Sequence, residues 1–357
     1  DRNIFNIIKT VKAMKQRKYF FKEHYLKFKD ILFAFSHFLR IKKYKKKYTL
    51  YDNWNLSELV CEEIDSSKDY SSKIIGILNY RFAKNLSDKR ISIKKTINRF
   101  ENQIVDKGWN LGFRRYFKKV KTYGYQGFLN FPHFMHSIPT KYEEQAKVIP
   151  SEIITVGKIY KKPKKEFFSK LKISVGPALN YPNIYKINKK SKKTEVLIIL
   201  TGIREFNLKL LDWVSKIEKI NTNIKITIKD HPILAIDKIG FEGKLPKNLI
   251  ITNEKLSSLL EKTNIVVCSG PTSSTIEILA YDCFLIVPVI DVFDELSLKV
   301  LNISKKKYFL THSGEELAKK IKKINTQYAL KNRKRNVLID KKIFFEKKNK
   351  KNLKYFY

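Results

Sequence analysis

The strongest constraint on the fold is a repeated change of hydrophobic period between residues 194 and 324. Residues 196–200 (VLIIL) form an apolar run of strand length. Leu210, Leu211, Val214 and Ile217 then share one helical face at i, i+1, i+4 and i+7. Residues 224–228 (IKITI) alternate and are β-branched, which predicts a strand. Further strands are expected at 249–252, 265–268 and 284–287, with helices at 256–260 and 273–281. Ser313 and Glu316 have capping-box spacing and open a helix with Leu317, Ile321 and Ile324 inward. Strands that alternate with helices in this way predict an α/β fold with a parallel, doubly wound sheet.

The first half repeats the alternation less cleanly. Ile74, Ile75, Leu78 and Phe82 suit one face of a helix. A strand is expected at 96–100, ending at Glu101-Asn102-Gln103, with a helix through Trp109 and Phe113 after it. Residues 120–125 predict a strand that runs into Gly127, and 153–156 another closed by Gly157. Pro163 suits the first residue of a helix through Phe167 and Leu171. The Lys-rich stretch 185–194 is the expected linker. The division predicted is 1–190, 191–330 and a basic tail at 331–357.

A chain of 357 residues with 43% hydrophobic residues has material for two cores, which excludes a disordered polybasic protein. Lys and Arg number 74 against 34 Asp and Glu, a net +40. Lys, Ile and Asn are all abundant, the composition of an A- and T-rich coding sequence, and this accounts for most of the excess. The remainder suits an anionic partner. The charge concentrates at 1–50 (15 basic, 3 acidic), 158–193 (12 Lys, one Glu) and 331–357 (11 basic, 2 acidic). Helix-turn-helix, RNP and zinc-finger patterns are missing, which sets a nucleic-acid binder behind the other readings. Cys61, Cys268 and Cys283 lie far apart without metal-ligand spacing, so a reducing compartment is expected. The apolar window 31–39 is too short to span a bilayer. The chain opens on Asp1 rather than Met, which leaves room for a preceding signal or anchor.

Ligands of open parallel sheets bind beyond the carboxyl ends of the strands. Four segments with reactive side chains fall there. Lys229-Asp230-His231-Pro232 follows the strand 224–228, and Pro232 keeps His231 out of helix. His231 there can donate to a phosphate oxygen or cap the next helix. Ser269-Gly270-Pro271-Thr272-Ser273-Ser274-Thr275 follows the strand 265–268. Thr272, Ser273 and Ser274 would open a helix whose free N–H groups attract anions, or serve as an ordinary N-cap. Glu277 lies one turn in, where it could accept from ribose hydroxyls or simply be solvated. Glu101-Asn102-Gln103 offers a candidate base at Glu101, with Asp106 as a second, or a polar helix start. Gly124 to Gly127, Gln126 included, together with Phe131-Pro132-His133 and His136, suits sugar stacking and hydrogen bonding. No carboxylate or Cys completes a metal set around the two His, and no metal site or cofactor is expected.

Strand–KDHP followed some forty residues later by strand–SGPTSST–helix resembles the bacterial GT-B glycosyltransferases with His-Pro and Ser-Ser/Thr motifs. These use CMP-linked donors and include sialyltransferases and capsule Kdo transferases. CDP-glycerol glycerophosphotransferases are similar in this region. RFENQ, GYQG, PHF and IITVGKIY resemble proteins of surface carbohydrate (O-antigen) biosynthesis. The resemblance covers roughly residues 95–300. It implies two Rossmann-like domains facing a central cleft, with 1–190 on the acceptor side and 191–330 binding the nucleotide donor.

By position, the resemblance implies that Lys229, His231 and Pro232 contact the donor and Thr272, Ser273 and Ser274 hold its phosphate. Glu277 would lie near the ribose, and Glu101 would be the base, with Gln103, Gln126 and His133 on the acceptor side. RFENQ departs from the acidic-Gly motif that carries the sialyltransferase base. Asp282-Cys283 departs from the small-Gly pattern before the next strand. The implied function is metal-independent glycosyl transfer from a nucleotide sugar to a surface-polysaccharide or lipid-linked glycan. A glycerophosphotransferase or a nucleotide-sugar epimerase of the same fold is the alternative. The expected setting is the cytoplasm, peripheral on the anionic inner face of the membrane.

Overall fold

The computed structural model describes residues 21–41, 50–51, 53–66, 71–129, 131, 134–185, 195–217, 224–246, 249–281, 283–300, 302–330 and 339–356. The described residues fall into two compact units. One runs up to Gly124 and includes Thr140–Ser151; the other comprises Tyr125–Pro139 and the residues from Glu152 onward.

The first unit carries helices α1 (Phe28–Phe35), α2 (Ser71–Asp88) and α3 (Ile104–Tyr116). A short antiparallel hairpin pairs β1 (Leu50–Tyr51) with β2 (Trp54–Asn55). Strands β3 (Lys95–Arg99) and β4 (Lys121–Gln126) are neighbours joined through α3, the crossover that parallel strands require. Phe82, Ala83, Leu86 and Phe113 form the core, with Trp109 and Phe117 packed against it. Helices α2 and α3 meet backbone to backbone: a Cβ on Gly108 would stand 1.8 Å from the Gly76 carbonyl oxygen.

In the second unit β5 (Glu152–Thr155) pairs in parallel with β6 (Ile173–Val175). The larger sheet comes from the alternation of residues 195–330. Its elements are β7 (Glu195–Ile199), α4 (Arg204–Ser215), β8 (Lys225–Lys229), β9 (Leu249–Thr252), α5 (Leu256–Lys262) and β10 (Ile265–Val267). They continue with α6 (Ser273–Ala280), β11 (Phe284–Pro288), α7 (Val292–Val300), β12 (Tyr308–Thr311) and α8 (Gly314–Leu330). The strand order is β12-β11-β10-β7-β8-β9, parallel throughout. Alternate residues go to opposite faces. Val196 and Ile198 join one core with Ile226, Ile228 and Val267, while Leu197 and Ile199 join another with Val266, Leu285 and Val287. Both faces of β7, β10 and β11 are therefore covered, which is why those strands read as continuous apolar runs, whereas β8 buries one face and alternates. The chain is an α/β protein with parallel strand pairing in both units.

Three expectations change. Pro163 opens only a 3-10 turn, Pro163–Lys165, and no helix through Phe167 and Leu171 follows. Phe167 is exposed and Leu171 buried, so the two do not share a buried face, and the chain turns to place β6 beside β5. Helix α7 and strand β12 were not anticipated. Asp294 lies in the first turn of α7. Ser313 Oγ accepts from the Glu316 N–H as expected, but the Glu316 carboxylate reaches the His312 N–H instead of closing the box on Ser313. Within the linker stretch 185–194, residues 186–194 lie outside the described residues.

Candidate functional site

The order of the larger sheet locates its binding edge. From β7 the chain builds β8 and β9 to one side, then returns to add β10, β11 and β12 on the other. The reversal falls between β7 and β10. In doubly wound sheets the crevice at such a switch point, beyond the strand carboxyl ends, is where ligands sit. Ile198 of β7 pairs with Val267 of β10, and Ile199 with Lys229 of β8. The loops after these three strands therefore emerge side by side.

The loop after β10 is tightly built. Ser269 Oγ and the Gly270 N–H both donate to Asp294 Oδ1, at 2.8 and 2.9 Å. The other Asp294 oxygen accepts from the N–H groups of Ile290 and Asp291. A Cβ on Gly270 would stand 1.8 Å from the Asp294 carbonyl oxygen, so only glycine fits. Thr275 Oγ1 donates to the Ser269 carbonyl at 2.7 Å. Thr272 is the N-cap of α6, but its hydroxyl turns back toward Cys268 Sγ instead of capping. The amides of Ser273 and Ser274 begin the helix, where no intrahelical acceptor is available. Ser273 is exposed and Ser274 half-buried, and neither hydroxyl bonds to the protein among the described residues. Burial pushes the Cys268 thiol up to about 11, so it is an inert part of this scaffold.

The loops after β7 and β8 meet at His231. Asn207, fully buried, fixes the first: its side chain accepts from the Thr201 N–H and donates to the Thr201 carbonyl. Gly202 follows, and a Cβ there would lie 3.1 Å from His231 Cε1. His231 Nδ1 accepts from the Ile233 N–H, so the proton of the neutral ring sits on Nε2. Burial, then the neighbouring Lys229, lower the His231 pKa, against an opposing pull from Asp230. Asp230 is buried and accepts from the Ile236 N–H, which holds the turn that Pro232 continues. Lys229 Nζ donates to the Asp230 carbonyl.

Glu277 lies one turn into α6, and burial pushes its carboxyl up to about 7. At neutral pH it is therefore divided between a hydrogen-bond donor and an acceptor.

In the first unit, Glu101 is half-buried and already engaged. Its carboxylate pairs with Arg99 at 2.6 Å and accepts from Gln103 Nε2. Asn102 adopts φ 62° and donates to Glu143. Gln103 is the N-cap of α3, and the Asp106 carboxylate accepts from the N–H groups of Glu101 and Gln103 and from Asn98. Burial raises the Asp106 pKa, against those hydrogen bonds. Gln126, the last residue of β4, is buried, with its Nε2 unbonded among the described residues. His133 lies outside the described residues. No group of three or more His, Cys, Asp or Glu able to hold a metal occurs among the described residues.

The larger sheet thus brings Lys229, His231, Pro232, Thr272, Ser273, Ser274 and Glu277 to one edge. Glu101, Gln103 and Gln126 belong to other elements. Gly202 and Asp294 escaped the sequence reading. A glycine directly after an apolar strand was the available signal for the first; the second acts on residues 24 and 25 positions earlier and left none.

No family model matches the chain, and no curated protein matches it. Similar solved structures include the UDP-GlcNAc 2-epimerase of Methanocaldococcus jannaschii, at 14% identity and TM-score 0.49, covering 77% of this chain and 81% of that one. The glycotransferase of kitacinnamycin aligns at 11% identity and TM-score 0.47, covering 73% and 76%. MurG of Acinetobacter baumannii aligns at 10% identity and TM-score 0.43, covering 71% of each. Identities of this size carry neither ligand nor activity from those proteins to this chain.

Proposed function

We propose that the chain is a GT-B glycosyltransferase that takes a sugar from a nucleotide-linked donor, CMP-linked by motif, and transfers it to a surface-polysaccharide or lipid-linked glycan. The observation that carries this reading is the convergence of His231, Gly202 and the Ser273-Ser274 helix start at the switch point of the larger sheet. In this reading the donor phosphate lies on the amides and hydroxyls of Ser273 and Ser274, at the positive end of α6. His231 donates its Nε2 proton to a phosphate oxygen. A ring kept neutral by burial can do so without competing with the lysines for ion pairs. Glu277 faces the ribose.

The chemistry is displacement at the anomeric carbon. The acceptor oxygen forms the new bond, the bond to the donor phosphate breaks, and the acceptor proton passes to a carboxylate. Glu101 is the proposed base, held in place by Arg99 and Gln103. Donors fixed before the reaction stabilise the charge that gathers on the leaving phosphate.

A thermal-shift screen with CMP, CDP, UDP and GDP tests the donor class. Stabilisation by the cytidine nucleotides is expected, and its loss in His231→Ala with an unchanged unliganded melt. Stabilisation by UDP or GDP alone would remove the CMP assignment, and a normal response in His231→Ala would move the donor site. Incubation with a nucleotide sugar and no acceptor separates an epimerase, which would change the sugar without releasing the nucleotide.

A further inference from the structure

Helix α1 is built inside out. Its charged residue Asp30 is 0% exposed, and its apolar residues Phe28 and Leu32 are 74% and 54% exposed. The orientation is fixed by the carboxylate. Asp30 accepts from Arg81 at 2.6 Å, from Asn85 Nδ2 at 2.6 Å and from the Lys27 N–H at 2.8 Å. Turning the helix to bury its phenylalanine would strip an ion pair and leave Arg81 unmatched. Leu39, at 60% exposure in the next turn of helix, His37–Ile41, extends the apolar stripe. Phe28, Ile31, Leu32 and Leu39 thus lie outward with helical spacing.

The flanks of this stripe are cationic. Lys27 and Lys29 are exposed beside Phe28. Arg40 stacks on Phe33 at 3.9 Å and bonds to Ser36 and the Phe33 carbonyl. Behind the stripe lies a cavity of about 570 Å³ lined by Phe33, Ile41, Ile77 and Leu111, with Arg40 and Lys73 also on its wall. A short amphipathic segment with an apolar face and Lys/Arg flanks has the chemistry of an interfacial membrane helix. No helix among the described residues is long and apolar enough to cross a membrane. A second copy of the chain would bring the same cations against these, with a net +40 on each partner.

We propose that α1 and the helical turn after it dock flat on an anionic lipid bilayer, with Phe28, Ile31, Leu32 and Leu39 at the acyl boundary and Lys27, Lys29 and Arg40 at the lipid phosphates. This goes beyond the transfer reading and is measured without turnover. A protein that lost it would still be stabilised by its nucleotide.

Co-sedimentation with vesicles of phosphatidylcholine alone and of phosphatidylcholine mixed with phosphatidylglycerol tests the docking. The chain should pellet with the mixed vesicles. The triple variant Phe28→Ser, Leu32→Ser, Leu39→Ser keeps every charge and should partition more than about tenfold less. Equal pelleting of variant and wild type would show that net charge alone suffices and would overturn the proposal. So would a dimer in light scattering that the triple variant dissociates while its vesicle binding is unchanged. Should the triple variant fail to fold, Leu32→Cys labelled with a polarity-sensitive dye in a Cys61→Ser background should shift to the blue on mixed vesicles. An unmoved spectrum would equally overturn it.

Discussion

The starts of α3 and α7 use the same local device to different ends. Each has an aspartate three residues after the N-cap, Asp106 and Asp294, that reaches back to the N-cap amide. Asp106 then bonds to Glu101 and Asn98, within eight residues of itself. Asp294 instead reaches Ser269 and Gly270 in the loop after β10. The first closes a turn; the second joins two strand-to-helix connections into one rigid block. What is left over differs too. Beside Asp294, the hydroxyls of Ser273 and Ser274 are available to a ligand. Beside Asp106, the proposed base Glu101 is already paired with Arg99. The nucleotide end of the proposed chemistry is preorganised, while its base must act from within an ion pair.

The largest test of that contrast is Glu101→Gln, expected to lower turnover about 10²–10⁴-fold, as removal of a general base does. Its melting temperature should hardly move, because an exposed ion pair contributes only about 0–1 kcal/mol. Full turnover would leave Glu101 as a surface partner of Arg99. Next come the two aspartates. Asp294→Ala strands four donors in a buried block and should cost about 3 kcal/mol or more in urea unfolding, and Asp106→Ala about half as much. Equal losses would erase the distinction between turn and block. Ser273→Ala and Ser274→Ala should each weaken nucleotide binding by about 1 kcal/mol, roughly fivefold, in calorimetry, with the unfolding midpoint unchanged. A stability loss instead would make them caps.

The remaining effects are pH-dependent. The fold raises the Glu277 carboxyl from its ordinary 4.5 to about 7, so the folded state holds the proton more tightly. That stability is present below 4.5 and is lost as pH rises toward 7. Glu277→Gln should flatten the urea midpoint across this interval. Lys164 acts in the opposite sense and in another place. Buried against Ser137, its amine falls to about 7 from 10.5, so stability from it grows as pH rises between those values. Lys164→Met should flatten that upper interval alone. A single slope through both intervals, unmoved by either variant, would show that neither group is held as described.

Strands β7, β10 and β11 were legible because each is buried on both faces, and its apolar run leaves little choice of element. Strand β8 was legible from the alternation of its one buried face, and the clear ends of β8 and β10 made the residues after them legible too. Strand β6 was not. Its three residues are all half-buried, and Lys172 and Ser174 break any run. Strand β12 and helix α7 follow a stretch too mixed in period to choose between elements. Asp294 could not be paired with Ser269 from sequence, since the link spans 25 positions and depends on Gly270 allowing the close approach. The apolar window 31–39 was visible, but nothing local says that Asp30 rather than Phe28 turns inward. That follows from Arg81 and Asn85, more than fifty residues away.

The segment 339–356 adds an order of events. Its Glu346 N–H donates to the Val156 carbonyl, its carbonyl accepts from the Ala178 N–H, and Phe345 is fully enclosed. Synthesis runs from the other end. Val156 and Ala178 therefore leave the ribosome long before the residues that complete their hydrogen bonds. Until then these two groups, just beyond the ends of β5 and β6, lack their partners, and contacts of such sequence separation form slowly.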